Sequence, residues 1–327
     1  MSFADRDGFI WYDGKLVPWR EATTHVLTYT LHYGVGCFEG VRAYNTPAGT
    51  AIFRLEDHTR RLMNSCKILG IKLPWSAEEI NAAQLEVLRA NKLKEAYLRP
   101  MVFYGAEEMG LRAQRLSTHL IVAAWTWGAY LGAENMEKGI RVKTSSFTRH
   151  HVNAAMCRAK ANGQYINSMQ ALNEVLRDGY DEAIMLDTQG FIAEGSAENI
   201  FLVLNGALHT PDLTACLDGI TRRTIMQLAK DLNLPVVERR ITRDEVYIAD
   251  EAFFTGTAAE VTPIREVDNR PIGGGSRGPV TQKLQATYWA LVKGESGQYP
   301  QWLSHTDGSA ASGSGGSSQP AARAAHG

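Results

Sequence analysis

The sequence has few cysteines, no long hydrophobic run and almost no net charge, and each absence excludes a class of protein. None of its 4 cysteines stands in a Cys-x-x-Cys pair, so neither a zinc site nor a dithiol redox motif is indicated. We expect all these thiols to be reduced, as in a cytoplasmic protein. The 34 basic and 35 acidic residues leave a net charge of −1, so no basic surface for nucleic acid or for an anionic membrane is predicted.

Hydrophobic residues make up 44% of the 327 positions, an ordinary proportion for a globular protein. No run of about 18 apolar residues predicts a membrane-spanning helix. The first residues, "MSFADRDGFIWYDG", include acidic side chains and lack the apolar core of a secretion signal. From about residue 304 glycine, serine and alanine dominate, which predicts a disordered tail over 304–327.

The first part of the chain mixes hairpin, helix and strand patterns. An alternating strand that turns at Asp13-Gly14 predicts a hairpin. Ser76 and Glu79 have the spacing of a capping box at a helix start. Other predicted elements are a helix over 55–71 and strands over 96–105 and 119–127. We assign residues 1–127 to a small N-terminal α+β domain and residues 128–139 to an interdomain loop.

The second part, residues 140–303, is predicted to form a larger α+β domain. It opens with a strand, and a helix follows with Ile166, Met169, Leu172 and Leu176 on one face. The remaining predicted elements are hairpins over 182–195 and 199–210, helices over 220–232 and 279–293, and strands near 235–239 and 251–255. Antiparallel hairpins mixed with helices favour a two-domain α+β fold over a doubly wound parallel sheet.

Lys160 is the first candidate for chemistry. Most lysines are solvated and inert. This one is flanked by the small residues Ala159, Ala161 and Gly163, which permit close approach of a ligand, and Tyr165 follows shortly after. A desolvated lysine loses its proton more readily and becomes a nucleophile that forms a Schiff base with a carbonyl compound.

A carboxylate and two turns could complete a site around this lysine. Glu194 ends a predicted strand, either as an ordinary turn carboxylate or as a buried partner for a cationic ring nitrogen. One glycine turn precedes a predicted helix, whose free N–H groups favour an anion, and another follows a predicted strand. Such turns are common and mostly structural. Their residues are Gly219, Ile220, Thr221, Gly256, Thr257 and Ala258.

Two arginines are further candidates. Arg61 lies on the first predicted helix, where a solvated helix face is the ordinary position for an arginine. Arg99 lies inside the apolar strand "YLRPMVF", where a charge is costly unless it is paired. A guanidinium in that place favours a carboxylate ligand.

Taken in order, these segments resemble the branched-chain amino-acid aminotransferases, which are fold-type IV enzymes that use pyridoxal 5'-phosphate. The resemblance covers residues 8–303. It is carried by "LHYGVGCFEGVRAY" (31–44), "YLRPMVFYG" (97–105), "WTWGAYLG" (125–132), "RAKANGQYINS" (158–168), "FIAEGSAENIF" (191–201), "LDGITR" (217–222), "FFTGTAAEVTPI" (253–264) and "RGPVTQKLQ" (277–285). It implies transamination between leucine, isoleucine or valine and 2-oxoglutarate, with no metal.

The resemblance also implies a role for each candidate. Lys160 matches the lysine that joins the cofactor and later moves a proton. Glu194 matches the carboxylate on the pyridine nitrogen, and Tyr165 the phenol near the cofactor's O3' atom. Arg61, Gly219, Ile220, Thr221, Gly256 and Thr257 match the phosphate site. The positions that match substrate-binding residues are Tyr33, Phe38, Tyr97, Arg99, Trp127, Tyr130, Thr257, Ala258 and Ala259.

The family is also expected to form homo-oligomers, either dimers or trimers of dimers, and the loop over 103–114 would close a neighbour's pocket. Two alternatives remain. A D-amino-acid or (R)-amine aminotransferase, or an aminodeoxychorismate lyase, would share the fold. A non-catalytic protein with a degenerate site is disfavoured because both Lys160 and Glu194 are present. Preference among leucine, isoleucine and valine does not follow from the sequence, since one methylene changes binding by only about 1–3 kcal/mol.

Overall fold

The computed structural model describes residues 2–128, 132 and 134–307, and its strands form two sheets joined by a shared hydrophobic cluster. The first part of the chain folds as β1 (Phe9–Tyr12), β2 (Lys15–Pro18), α1 (Tyr29–Tyr33), β3 (Gly36–Phe38), β4 (Val41–Thr46), β5 (Gly49–Phe53), α2 (Leu55–Ile68), α3 (Ala77–Ala90), β6 (Ala96–Tyr104) and β7 (Thr118–Trp125). Helices α2 and α3 pack together, and their apolar residues share a core with the sheet.

The second part of the chain builds the other sheet. Its elements are α4 (Asn135–Lys138), β8 (Ile140–Thr144), α5 (Tyr165–Arg177), β9 (Glu182–Leu186), β10 (Ile192–Gly195), β11 (Asn199–Leu204), β12 (Ala207–Thr210), α6 (Ile220–Asp231), β13 (Val236–Glu238), α7 (Arg243–Tyr247), β14 (Glu251–Gly256), β15 (Glu260–Val267), β16 (Arg270–Pro271), α8 (Pro279–Val292) and β17 (Leu303–His305). Strand β17 is the exception, because it joins the first sheet.

The strand orders are those of a mixed α+β fold. The first sheet runs β17-β5-β4-β6-β7-β1-β2 with β3 on β6, and its described pairs are antiparallel. The second runs β10-β9-β8-β15-β14-β11-β12-β13 with β16 on β15. Only three of its described pairs are parallel, namely β8 with β9, β8 with β15, and β12 with β13. The expected α+β class is therefore confirmed.

Several local predictions are confirmed. The first hairpin turns at Asp13 and Gly14, both with positive φ, at 48° and 99°. Ser76 and Glu79 form the predicted capping box at the start of α3, with the Glu79 N–H donating to Ser76 Oγ at 3.2 Å. These features were predictable because each depends on residues that are close together in sequence.

Helix α5 does not bury the apolar face that its sequence pattern predicts. Ile166 and Met169 are 59% and 55% exposed, and Leu176 is exposed as well. The helix instead packs its Ala171 and Val175 side against β9. Leu172 packs partly against the same cluster and lines a cavity between the two sheets together with Met169, whereas Ile166 and Leu176 remain exposed.

The end of the chain also departs from the prediction. Ser304 and His305, which composition assigned to the tail, lie in β17 and pair with Ile52 and Ala51 of β5. The guanidinium of Arg54 lies 4.2 Å from the ring centre of Trp302. Residues 308–327 of the predicted tail lie outside the described residues.

The cysteines are free and buried, in agreement with reduced thiols. Cys37 and Cys66 bring their sulfur atoms to 3.3 Å between β3 and α2. The hydrogen bond between the two thiols is the largest cause that raises the pKa of Cys37 far above the usual range, and burial adds to it.

Candidate active site

A cavity of about 420 Å³ lies where the two sheets meet, and most of the predicted site residues line it. Those brought together are Phe38, Arg61, Tyr97, Arg99, Trp127, Lys160, Tyr165, Glu194, Gly219, Ile220, Gly256, Thr257, Ala258 and Ala259. Thr221 is buried at the next position of α6. The tertiary fold therefore gathers residues from segments far apart in the chain.

Lys160 is held inside this cavity from both sides. Its backbone N–H donates to Ser65 Oγ at 3.0 Å, and its carbonyl accepts from the N–H of Phe38 at 3.1 Å. Its Nζ lies 2.6 Å from the phenol oxygen of Tyr165 and 5.0 Å from the ring centre of Phe38. Lys160 is therefore not a solvated surface cation, because Ser65 of α2 and Phe38 of β3 fix its backbone and aromatic rings lie beside its amine.

Glu194 lies at a second wall of the cavity on β10, fully enclosed by protein. One carboxylate oxygen accepts the N–H of Leu217 at 3.1 Å, and the other lies 2.9 Å from Nε of Arg149 in an ion pair that is not aligned as a hydrogen bond. Burial raises the pKa of Glu194, and the charge of Arg149 offsets that effect only in part. A cationic N–H group in the cavity would complete its stabilisation.

The third wall is the start of α6. Gly219 is its N-cap and supplies no side-chain cap, so the first N–H groups of the helix are available to an anion. A Cβ on Gly219 would lie 1.9 Å from Oδ1 of Asn199, which explains the glycine. Arg61 reaches this point from α2 and donates to the carbonyl of Asp218 at 2.9 Å. An uncapped helix start beside a guanidinium fits a phosphate group.

The turn after β14, residues 257–259, forms a fourth wall of the cavity. Arg42 of β4 donates to the carbonyls of Thr257 and Ala258 at 2.9 and 3.1 Å. Both carbonyl oxygens are thus held by one guanidinium. Sequence reasoning missed Arg42, although its alternate position in the short strand "VRAY" was a signal that it points away from the sheet core.

An aromatic wall with one cation completes the cavity. The rings of Tyr97 and Trp127 are 4.6 Å apart between centroids, and the Arg99 guanidinium lies 4.5 Å from the Phe38 ring centre. Nε of Arg99 is buried with no hydrogen-bond partner among the described residues. A carboxylate ligand would satisfy it.

Two of the predicted substrate-binding residues are not in this cavity. Tyr33 is 38% exposed, and its phenol oxygen accepts the N–H of Gly110 at 3.1 Å. Its helix α1 packs against β6 and the loop over 105–117, and Tyr33 does not line the cavity of its own chain. Tyr130 lies outside the described residues.

Other residues near the cavity were not predicted. Arg149 faces Glu194, and Glu39 pairs with Arg61. Gly40 admits Tyr97, because a Cβ there would lie 1.9 Å from the tyrosine oxygen. Arg149 carries no signal in the sequence, since its partner is 45 positions away in the chain.

Comparison with known proteins agrees with this geometry. Residues 36–267 match the model of the amino-transferase class IV family, and the chain belongs to that family. The branched-chain-amino-acid aminotransferase of Pseudomonas aeruginosa is 64% identical over 302 residues, covering 92% of this chain and 98% of that protein.

Solved structures show the same likeness. The T.th. branched-chain amino acid aminotransferase with pyridoxamine 5'-phosphate has a TM-score of 0.90 and 45% identity, covering 92% of this chain and 99% of that one. The branched-chain aminotransferase of Thermoproteus uzoniensis with norvaline has a TM-score of 0.88 and 44% identity, covering 92% and 100%.

No helix in the part of the chain that the structure describes is long and apolar enough to cross a membrane. No group of three or more His, Cys, Asp or Glu side chains in it could hold a metal ion.

Proposed function

We propose that this chain transfers amino groups between branched-chain L-amino acids and 2-oxoglutarate with pyridoxal 5'-phosphate as cofactor, yielding branched-chain 2-oxo acids and L-glutamate. The observation that carries the proposal is that Lys160, Glu194 and the Arg61–α6 corner line one cavity. Their chemistry suits the aldehyde, the ring nitrogen and the phosphate of this cofactor, in that order.

Each wall suits one part of this cofactor. When bound, pyridoxal phosphate supplies an electron sink for the electrons of the substrate's Cα–H bond. Glu194 would hold the ring nitrogen in its protonated form, and Arg149 keeps a compensating charge beside it. Tyr165 contacts the amine of Lys160, so its phenol would bind the cofactor close to that amine.

Lys160 is the group that moves the proton. Its Nζ is poised in the cavity with Tyr165 at 2.6 Å and the Phe38 ring beside it. As a free amine, its Nζ would accept the proton from the substrate's Cα and hold it within the cavity until it is released again. The fixed backbone of Lys160 limits the positions that its amine can reach, which orients the transfer.

The substrate side must accept both leucine and glutamate. Phe38, Tyr97 and Trp127 offer an apolar wall for a branched side chain, whereas Arg99 is within reach for a distal carboxylate. The turn over 257–259 is suited to the substrate's α-carboxylate through its N–H groups, because Arg42 already holds two of its carbonyls.

We also propose that the chain works as a homo-oligomer in the cytoplasm. Six apolar side chains are exposed on and before α5, which exceeds the scattered exposure usual on a monomer. They are Phe147, Val152, Met156, Ile166, Met169 and Leu176. Tyr33 and the loop over 105–117 would then complete a neighbour's pocket, in a dimer or a trimer of dimers. Light scattering after size-exclusion chromatography measures the oligomeric state, and a monomeric mass at micromolar concentration would refute the proposed homo-oligomer.

The free thiols support the proposed cytoplasmic location.

The first experiment is an absorption titration of the purified protein loaded with pyridoxal phosphate. We expect a visible band that L-leucine bleaches and 2-oxoglutarate restores. D-alanine should leave it unchanged, and bleaching by D-alanine alone would favour a D-amino-acid aminotransferase of the same fold. Absence of any band would refute use of the cofactor.

The matched variants are Lys160→Ala and Lys283→Ala. We expect Lys160→Ala to lose the band and to lose turnover by about 100- to 10,000-fold or more, because the proton carrier is removed. Lys283 is exposed on α8 and should behave as wild type. Full turnover in the Lys160→Ala variant would refute the assignment.

A further inference from the structure

A buried acid and a buried histidine lie directly behind Arg61. Glu39 and His58 are 1% and 2% exposed. Glu39 accepts from Nε of Arg61 at 2.7 Å through one oxygen and from Nη2 at 2.9 Å through the other. The second oxygen also lies 2.7 Å from Nδ1 of His58. The three side chains form one hydrogen-bonded unit between the start of β4 and α2.

The contacts of Arg61 use three of the five N–H groups of its guanidinium. Two of them meet Glu39, and one on Nη1 meets the carbonyl of Asp218. The other two N–H groups, one on each terminal nitrogen, take no partner among the described residues, and Arg61 lines the cavity. A fork held at one edge by a carboxylate can present only its remaining edge to a ligand.

The charges of this unit are determined by its contacts. Burial alone would raise the pKa of Glu39, but the charge of Arg61 and the hydrogen bonds from His58 and Arg61 outweigh burial and hold that pKa below its usual range. Burial lowers the pKa of His58, an effect that Glu39 offsets only in part. Because the Glu39 carboxylate can only accept, Nδ1 of His58 carries the proton of their contact, and Glu39 and Arg61 form a pair with no net charge.

A neutral pair attracts a phosphate dianion less than a lone arginine does. The pair instead fixes the orientation of the Arg61 guanidinium, because its contacts with Glu39 and Asp218 hold it beside the start of α6. The neighbours of Glu39 support this: its N–H donates to the carbonyl of Pro100 at 2.8 Å, and the N–H of Phe38 binds the Lys160 carbonyl. One short segment therefore holds both the lysine and the arginine of the site.

We infer that Glu39 is a positioning residue that aims Arg61 at the cofactor phosphate, and that His58 in turn fixes Glu39. This inference rests on the proposed use of pyridoxal phosphate. It differs from the proposed function in concerning a residue that touches neither cofactor nor substrate and acts only through Arg61.

The test compares pyridoxal phosphate with pyridoxal, which lacks the phosphate. Equilibrium dissociation constants are measured for both on the apoenzyme of wild type and of Glu39→Gln. The amide cannot accept both N–H groups of Arg61, so we expect the affinity for pyridoxal phosphate to fall by about 10- to 100-fold, as for a misplaced charged hydrogen bond. The affinity for pyridoxal should change less than twofold. The ³¹P resonance of the bound cofactor should also shift.

Glu251→Gln is the matched control. Glu251 is a buried carboxylate away from the cavity, and it accepts the N–H groups of Val280 and Thr281 at 2.9 and 2.7 Å. We expect this variant to lower Tm and to leave both dissociation constants and the ³¹P resonance unchanged. In an Arg61→Lys background, Glu39→Gln should cause no further selective loss.

His58→Leu provides a second route should Glu39→Gln fail to fold. It removes the donor to Glu39 and should weaken pyridoxal phosphate binding several-fold in the same selective way. Equal losses for both ligands, or no loss for either, would overturn the inference while leaving the proposed function intact. A wild-type protein that binds neither ligand would instead overturn the proposed function, and the inference with it.

Discussion

At the scale of single residues, buried carboxylates near the cavity differ in charge because their neighbours differ. Glu39 faces an arginine and stays ionised, whereas burial raises the pKa of Glu194 despite Arg149. Glu182 has no cationic partner among the described residues, and its charged neighbour is the buried carboxylate of Glu198. Oε1 of Glu182 accepts two backbone N–H groups, its Oε2 has no partner among the described residues, and burial raises its pKa to about 7.

The raised pKa of Glu182 predicts that the free energy of unfolding depends on pH. The folded pKa of about 7 exceeds the ordinary value of 4.5, so the folded state binds the proton more tightly than the unfolded state. The resulting stability is fully present below pH 4.5 and is lost as the pH rises through 7. Glu182→Gln remains neutral, so we expect it to exceed wild type in free energy of unfolding above pH 8 by on the order of 3 kcal/mol, with little difference near pH 4.5.

Urea unfolding of both proteins at several pH values between 4.5 and 8.5 measures this difference. The cofactor is kept saturating throughout, so that binding does not vary between samples. Parallel stability curves for wild type and Glu182→Gln would contradict the prediction.

Sequence reasoning predicted candidate residues that line the cavity better than it predicted the charged residues that hold them in place. Lys160, Tyr165 and Glu194 stand in recognisable segments, and the structure places all three around one cavity. Glu39 and Arg149 were missed, because a buried ion pair is identified by its partner, and both partners are distant in the chain.

At the scale of elements, the connection between β3 and β4 controls how β6 presents its side chains. Gly40 lies in that connection, and a Cβ there would lie 1.9 Å from the oxygen and 2.7 Å from Cζ of Tyr97. Tyr97 is confined on its other side by Trp125 and Trp127, with ring centres 5.3 and 4.6 Å away. The glycine therefore permits the close packing of the aromatic wall.

We expect Gly40→Ala to push Tyr97 into the cavity and to lower kcat/KM for leucine by about tenfold or more, as small displacements at a substrate wall do. The cofactor band should be retained. Gly274→Ala is the control, because a Cβ there meets nothing within 4 Å and its φ is not left-handed. Steady-state kinetics of both variants measure this effect. Equal kcat/KM values for Gly40→Ala and Gly274→Ala would show that Tyr97 tolerates the methyl group.

Elements with local signals were predictable, whereas elements defined by long-range pairing were not. The first hairpin and the capping box of α3 depend on neighbouring residues. Strand β15 was missed: it contains Pro263, which lacks an N–H, and begins at Glu260 with a φ of 55°. Pairing with β14 and β8 creates that strand, and the sequence window alone does not show it.

At the scale of the whole molecule, the last described residues of the chain contact both parts of the fold, β5 of the first sheet and α6 of the second part. After α8 the chain returns to the first sheet, where β17 pairs with β5 and the Trp302 ring lies 6.2 Å from Phe53. Tyr299 stacks on Trp302 at 4.0 Å and donates to Asp231 of α6 at 2.7 Å. The last described segment is thus part of the core between the sheets.

Truncation tests this role. A chain that ends at residue 307 loses only Gly/Ser/Ala-rich sequence, so we expect its Tm to stay within about 1 °C of the full-length value. A chain that ends at residue 298 loses β17 and Trp302, and we expect its Tm to fall by about 5 °C or more. Calorimetry of the cofactor-loaded proteins compares them. Equal Tm values for the two truncations would show that these contacts do not stabilise the fold.

The sequence by itself determined the class of fold and the local turns and caps, and it predicted that Lys160, Glu194 and Tyr165 belong to one site. These follow from short segments whose residue types and order are specific. Only the tertiary structure decided that Tyr33 lies outside its own chain's cavity, that Glu39 stands behind Arg61, that α5 leaves Ile166 and Met169 exposed, and that β17 joins the first sheet. Each of these features depends on packing and charge pairing between segments that are distant in the chain. Such contacts exist only in the folded protein, so no short stretch of sequence shows them.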